Sequence, residues 1–256
     1  MLCKDIIRII ETTYPKHAAL EWDNVGLLVG SKEVEVKKIY VALDATDEVI
    51  DAAIKKDVDM LITHHPLIFG SIKQITDDDF IGRRIAKLIR NGISYYAMHT
   101  NYDVLGMADL AANMMELINS EELELSGIGR VGDLQKEITV KECCELVKEK
   151  FHLPYVKLVG DEEKVIKRVA ISPGSGKHMS ELAISKQADV FITAEIDYHE
   201  SMDAVARNLS IIDAGHYGLE HIFVADMVQY LSSNLNDIEI YQEEINESCR
   251  AIKELN

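Results

Sequence analysis

Residues 58–66 read VDMLITHHP. So short and apolar a run has the character of a strand buried on both faces, and it ends on two histidines and a proline. Working outward, residues 36–43 (VKKIYVAL) form a second strand, and 46–57 between them read as a helix. A further helix at about 80–91 leads into a strand at 93–98 (ISYYAM), and another helix follows Gly106. Strands alternating with helices predict an α/β fold whose largely parallel sheet is covered by helices.

The pattern recurs between about 165 and 230. A shift of 130 residues lays KKIYVAL (37–43) over KRVAISP (167–173), and DMLITHH (59–65) over DVFITAE (189–195). Beyond the acidic loop near 76–80 (TDDDF), a shift of 117 lays His99 over His216 and Asp103 over Glu220. Matched blocks of this kind point to internal duplication. The expected organisation is two similar α/β units, residues 1–118 and 165–256, with a connecting segment at 119–164 and a metal cleft between the units. The last stretch, 231–256, is expected to hold a short strand (IEIYQ) and a final charged helix.

Composition narrows the function. The chain has 256 residues, 47 % hydrophobic and 28 % charged, the makeup of a folded soluble protein. Its 27 Lys and Arg against 44 Asp and Glu leave a net charge of −17, which argues against a nucleic-acid partner because such affinity rests on basic contacts to phosphate. No apolar run spans a bilayer and no signal peptide is evident, so a cytoplasmic location without membrane contact is expected. The four cysteines form no Cys-x-x-Cys pair and two of them, Cys143 and Cys144, are adjacent on what reads as a helix, so neither a disulfide framework nor a thiolate zinc site is suggested.

Histidines cluster at strand ends. His64 and His65 follow one strand, His99 a second and His216 a third. Ligands of open α/β sheets bind beyond the carboxyl ends of the strands. Asp103 lies four residues after His99, and Glu220 four after His216; on a helix such pairs share a face. Adjacent histidines on a regular strand point apart, so His64 and His65 serve one ion only if the backbone turns at Pro66, and two ions otherwise. Imidazole with carboxylate and no thiolate suits zinc, iron or manganese. Glu195, Tyr198 and His199 follow the strand equivalent to 58–63 and are expected near the same cleft, with His199 as a proton shuttle or a substrate contact. The run Pro173-Gly-Ser-Gly-Lys177 lacks the full phosphate-loop spacing and reads as a strand-to-helix turn.

The segments Glu21-Trp-Asp-Asn-Val-Gly-Leu-Leu-Val-Gly30, Ile62-Thr-His-His-Pro-Leu-Ile-Phe69, His99-Thr-Asn-Tyr-Asp103, Tyr198-His199 and Asp213-Ala-Gly-His-Tyr-Gly-Leu-Glu220 together closely resemble the NGG-interacting-factor-three-like family of dinuclear metal-centre proteins. Members are often named GTP cyclohydrolase 1 type 2 homologues. The resemblance implies that His64, His65, Asp103, His216 and Glu220 hold two divalent metal ions per subunit, with His99 beside them. It also implies a homohexamer built as a trimer of dimers. Thr193-Ala194-Glu195 and Leu219 depart from the family pattern without replacing a ligand. The function these features imply is metal-dependent hydrolysis of a nucleotide or another phosphorylated small molecule, including ring opening of GTP. The competing reading is a non-catalytic protein that binds metal or a transcription-related partner.

Overall fold

The computed structural model describes residues 1–244. The chain opens with helix α1 (Cys3–Thr13), which buries Ile6, Ile7 and Ile10 on one face. Strands β1 (Gly26–Val29) and β2 (Lys38–Ala42) follow. Helix α2 (Asp47–Lys55) starts where the Thr46 side chain accepts from the Val49 amide at 3.2 Å, with Asp47 and Glu48 in its first turn, the polarity that suits a helix N-terminus. Strand β3 (Met60–Thr63) precedes helix α3 (Phe80–Arg90), whose cap Asp79 accepts from the Gly82 amide. Strand β4 (Ser94–Ala97) leads into a single helical turn, α4 (Thr100–Tyr102), then a π-helical turn (Asp103–Met107) and α5 (Ala108–Met114).

The middle of the chain holds β5 (Ile118–Glu122), β6 (Arg130–Thr139) and α6 (Val140–Lys150), which begins in a reciprocal Thr139–Glu142 capping box. After these come β7 (Lys157–Val159), β8 (Val165–Ser175), α7 (Met179–Ser185), β9 (Val190–Glu195), α8 (Tyr198–Ala206), β10 (Ser210–Asp213) and α9 (His216–Glu220). Helix α10 (Ile222–Asn234) and strand β11 (Glu239–Gln242) complete the described elements. None of these helices is long and apolar enough to cross a membrane.

The chain divides into two compact units: Met1–Leu105 with Phe223–Glu244, and Gly106–Ile222. The first holds a five-stranded sheet in the order β1-β4-β3-β2-β11. Its ladders are parallel except for β1 against β4. Every residue of β3 and β4 is buried, as expected of strands covered on both faces. Tyr40, Leu61, Ile85, Leu88 and Tyr95 are among its core side chains.

The second unit holds a six-stranded sheet in the order β5-β6-β8-β9-β10-β7. Only β8-β9-β10 run parallel; β5-β6, β6-β8 and β10-β7 are antiparallel. This sheet is therefore mixed where the sequence implies a largely parallel one. The stretch 119–164, read as a connecting segment, supplies β6, β7 and most of β5. The link from β5 to β6 is too short for the helical crossover that a parallel pair needs, so these strands return antiparallel. Strand β11, read as the end of the second unit, pairs in parallel with β2 of the first sheet, with Ile240 opposite Ile39. The predicted final charged helix lies outside the described residues.

Candidate metal centre

In the first unit, β3 and β4 are parallel neighbours, so the histidines that follow them emerge at the same end of the sheet. The His64 and His65 amides still bond to the Ala42 and Leu43 carbonyls beside β2, at 3.3 and 3.0 Å. Their rings nevertheless sit 4.9 Å apart, tilted by 52°. His99 joins them, with ring centroids 5.3 Å from His64 and 5.7 Å from His65. Each of the three imidazoles offers a nitrogen within 4.8 Å of the other two.

Two carboxylates orient these rings. Asp44 Oδ1 meets His65 Nδ1 at 2.8 Å, and Asp23 Oδ1 meets His99 Nδ1 at 2.9 Å. With a carboxylate as acceptor, Nδ1 carries the proton and Nε2 becomes the basic nitrogen, the arrangement by which second carboxylates hold metal-binding histidines. Burial would raise the Asp23 carboxyl pKa, but hydrogen bonds from the His99 ring, the Thr100 hydroxyl and the Thr100 amide hold it at about 2. His64 is fully buried, packed on Phe223, and its Nε2 lies 3.4 Å from Asp103 Oδ1. The Asp103 amide bonds the His99 carbonyl at 3.0 Å, so the turn after β4 carries Asp103 one helical turn beyond His99. Trp22 and Phe69, both more than half exposed, stand edge-on to His99 at 5.8 Å.

In the second unit, His216 opens α9 after a bend at Gly215 with φ +78°, a conformation that suits glycine. His216 Nε2 lies 2.9 Å from Glu220 Oε2 at helical i, i+4 spacing. Glu220 is buried, and the backbone of Gly174 passes so close that an added Cβ would stand 2.9 Å from Glu220 Oε1. Gly174, at the end of β8, thus leaves room for a carboxylate; Pro173, Gly174 and Ser175 still belong to the strand, so the turn expected over 173–177 begins only after Ser175. Glu195, at the end of β9, approaches His216 Nδ1 at 3.8 Å. Tyr198 and His199 are exposed at the start of α8, their rings 5.4 Å apart, and neither belongs to a group of three metal-capable side chains among the described residues.

Nitrogen and carboxylate donors that converge without thiolate fit a divalent ion of the zinc, iron or manganese type. The described cysteines, Cys3, Cys143 and Cys144, are buried and belong to no such group. Sequence reading missed Asp44 and Asp23 as partners of the histidines. Asp44 was findable: it stands two residues past the end of β2, the position that His65 holds after the neighbouring strand β3. Asp23 lies within the Glu21–Gly30 segment that carries the resemblance, but its part beside His99 was not readable, because it sits in an irregular loop that reaches His99 only through tertiary contact.

A family model described as Duf34/NIF3 (NGG1p interacting factor 3) matches residues 1–248. A Clostridium acetobutylicum protein named GTP cyclohydrolase 1 type 2 homolog is 39 % identical over 246 residues, covering 93 % of this chain and 92 % of its own. A protein of the same name from Methanocaldococcus jannaschii is 35 % identical over 244 residues, covering 94 % and 98 %. Among solved structures, Staphylococcus aureus hypothetical protein SA1388 superposes with a TM-score of 0.89 at 28 % identity, covering 98 % of this chain and 99 % of that one. Reduced HcgD from Methanocaldococcus jannaschii superposes with a TM-score of 0.83 at 34 % identity, covering 94 % and 97 %.

Proposed function

Because the chain belongs to the Duf34/NIF3 (NGG1p interacting factor 3) family, we propose that it binds two divalent metal ions and uses them to hydrolyse a nucleotide or another phosphorylated small molecule. The observation that carries this reading is the trio His64, His65 and His99, with ring nitrogens within 4.8 Å and two of the rings held by carboxylates. Surface histidines have no need of such orientation.

The proposed ligands are His64, His65, Asp103, His216 and Glu220. Bound divalent ions supply Lewis-acid polarisation and a water of lowered pKa. Asp44 and Asp23 keep His65 and His99 in one tautomer. Asp103 and Glu220 would offset half of two divalent charges, and the Asp23 and Asp44 carboxylates behind the rings the other half, so phosphate would be drawn by the ions' own local charge and open positions rather than by a net positive site. The relatives' names point to GTP as one substrate to try, with opening of its guanine ring as the reaction. A homohexamer is the assembly we propose alongside, to be read by sedimentation.

We also propose that the chain arose by internal duplication. Asp59 Oδ2 accepts from the Lys37 and Lys38 amides at 2.7 and 2.9 Å. At a shift of 130 residues, Asp189 Oδ2 accepts from the Lys167 and Arg168 amides at 2.9 Å each. Asp57 and Gln187, related by the same shift, both have positive φ, as do Gly30 and Gly160.

Metal analysis of protein purified without added metal, followed by turnover assays on nucleotides and phosphoesters with His64→Ala as control, tests the proposal. Two ions per chain and turnover abolished by His64→Ala are expected. A stoichiometry that never exceeds one overturns the dinuclear reading. Two ions without turnover on any substrate favour the non-catalytic alternative.

A further inference from the structure

Tyr95 lies on β4, fully buried, with its ring in the core of the first unit. Its hydroxyl emerges from that core beneath the turn that carries His64 and His65. The Leu67 amide donates to it at 2.8 Å. The hydroxyl in turn stands 2.8 Å from Thr63 Oγ1 and 2.9 Å from the His65 carbonyl. Thr63 Oγ1 donates to the same His65 carbonyl at 2.8 Å.

Three oxygens in mutual contact share two hydroxyl hydrogens. The Leu67 amide donates to the Tyr95 oxygen, and the two hydroxyls close on the His65 carbonyl in either order, Tyr95 donating to Thr63 and Thr63 to the carbonyl, or Thr63 to Tyr95 and Tyr95 to the carbonyl. The relay ties the residue before the histidine pair to the carbonyl at its end and the amide just past Pro66. The backbone bend that lets two adjacent histidines face one place is therefore closed from below by a side chain of the neighbouring strand.

The second unit offers an internal comparison. Thr193, 130 residues after Thr63, reaches the Glu195 carbonyl at only 3.4 Å. By strand register the position matching Tyr95 is Ile211, which pairs with Phe191 as Tyr95 pairs with Leu61; this is a shift of 116 rather than the 117 expected from the sequence, so His99 corresponds to Gly215 and not to His216. No hydroxyl stands there to close the turn, and the residue it carries is a glutamate rather than a pair of histidines.

We infer that Tyr95 is a positioning residue for the metal centre, holding the His64-His65-Pro66 turn in the conformation that presents both imidazoles. The inference rests on the proposed metal binding and adds to it a residue that itself touches no ion. Outer partners of metal ligands typically cost ten- to a hundredfold in affinity when removed.

The test titrates Co²⁺ into metal-free full-length protein and records both affinity and the visible ligand-field spectrum. Tyr95→Phe should weaken Co²⁺ binding about tenfold or more and alter the spectrum. Tyr96→Phe removes a hydroxyl from the next residue, one that donates instead to Glu11 at 3.2 Å. It should leave affinity and spectrum unchanged even where it lowers the melting temperature, which separates positioning from general stability. If Tyr95→Phe does not fold, Thr63→Val breaks the same relay and is expected to weaken binding, while Thr63→Ser retains it. Wild-type affinity and spectrum in Tyr95→Phe or in Thr63→Val overturn the inference and leave metal binding intact. Absence of Co²⁺ binding by the unaltered protein overturns the metal reading itself.

Discussion

Asp23→Asn tests whether the carboxylate behind His99 stabilises the first unit as the geometry implies. The Asp23 side chain has no exposure to solvent. It accepts from His99 Nδ1 at 2.9 Å, the Thr100 amide at 3.0 Å, the Thr100 hydroxyl at 2.6 Å and the Asn24 amide at 2.8 Å. An asparagine fills the same space, but its amide nitrogen must face one of the two donor pairs. Burial raises the Asp23 pKa, and the hydrogen bonds outweigh that to bring it to about 2, against about 3.9 in an unfolded chain. Nearly two pKa units correspond to roughly 2.6 kcal/mol at neutral pH. Because the folded pKa is depressed, this stability is complete above about pH 4 and is lost as the pH falls through about 2. Urea unfolding of chelator-treated protein, followed by the fluorescence of the single tryptophan, Trp22, should therefore show Asp23→Asn less stable by about 2 to 3 kcal/mol. The gap should hold from pH 7 to about 5 and narrow below 4. A gap under about 0.5 kcal/mol at pH 7, or one unchanged down to pH 3, refutes the reasoning.

Glu220→Ala should remove more metal than His199→Ala in elemental analysis, since Glu220 is buried against His216 while His199 is exposed on α8; equal losses contradict that ranking. Gly174→Ala should destabilise the second unit by about 1 kcal/mol or more, because φ is +82° and the new methyl crowds Glu220. Thermal melting of the metal-free protein measures this, and an unchanged melting temperature counts against the close approach. Burial pushes the Cys143 thiol up to about 12, so alkylation at pH 8, followed by peptide mass spectrometry, should label Cys143 only after unfolding.

Much of the fold was legible where apolar runs and helix-capping residues coincide. The runs at 36–43, 58–63 and 93–98 contain β2, β3 and β4, and Thr46 marks the start of α2. The long β6 was not legible. Its residues RVGDLQKEIT mix glycine, charge and apolar positions, and they become a strand by pairing with β8 in a register that the local pattern does not encode. Strand β11 was legible as the short strand IEIYQ, but not its partner: it joins the first sheet rather than the second, along the open parallel edge of β2. Propensity is a short-range quantity, and partner choice is not.

The donors of the candidate site divide in the same way. Sequence alone determined that histidines stand at strand ends, that Asp103 and Glu220 follow two of them at helical spacing, and that no thiolate pattern competes. Those are properties of residue type and of separation along one short stretch of chain. Tertiary structure decided that His99 closes with His64 and His65 into one group, that Asp23 and Asp44 hold two of those rings, and that the Tyr95 hydroxyl underpins the turn. Each of these depends on the few ångströms between side chains far apart in sequence. That spacing is set by strand register and by close packing of the core.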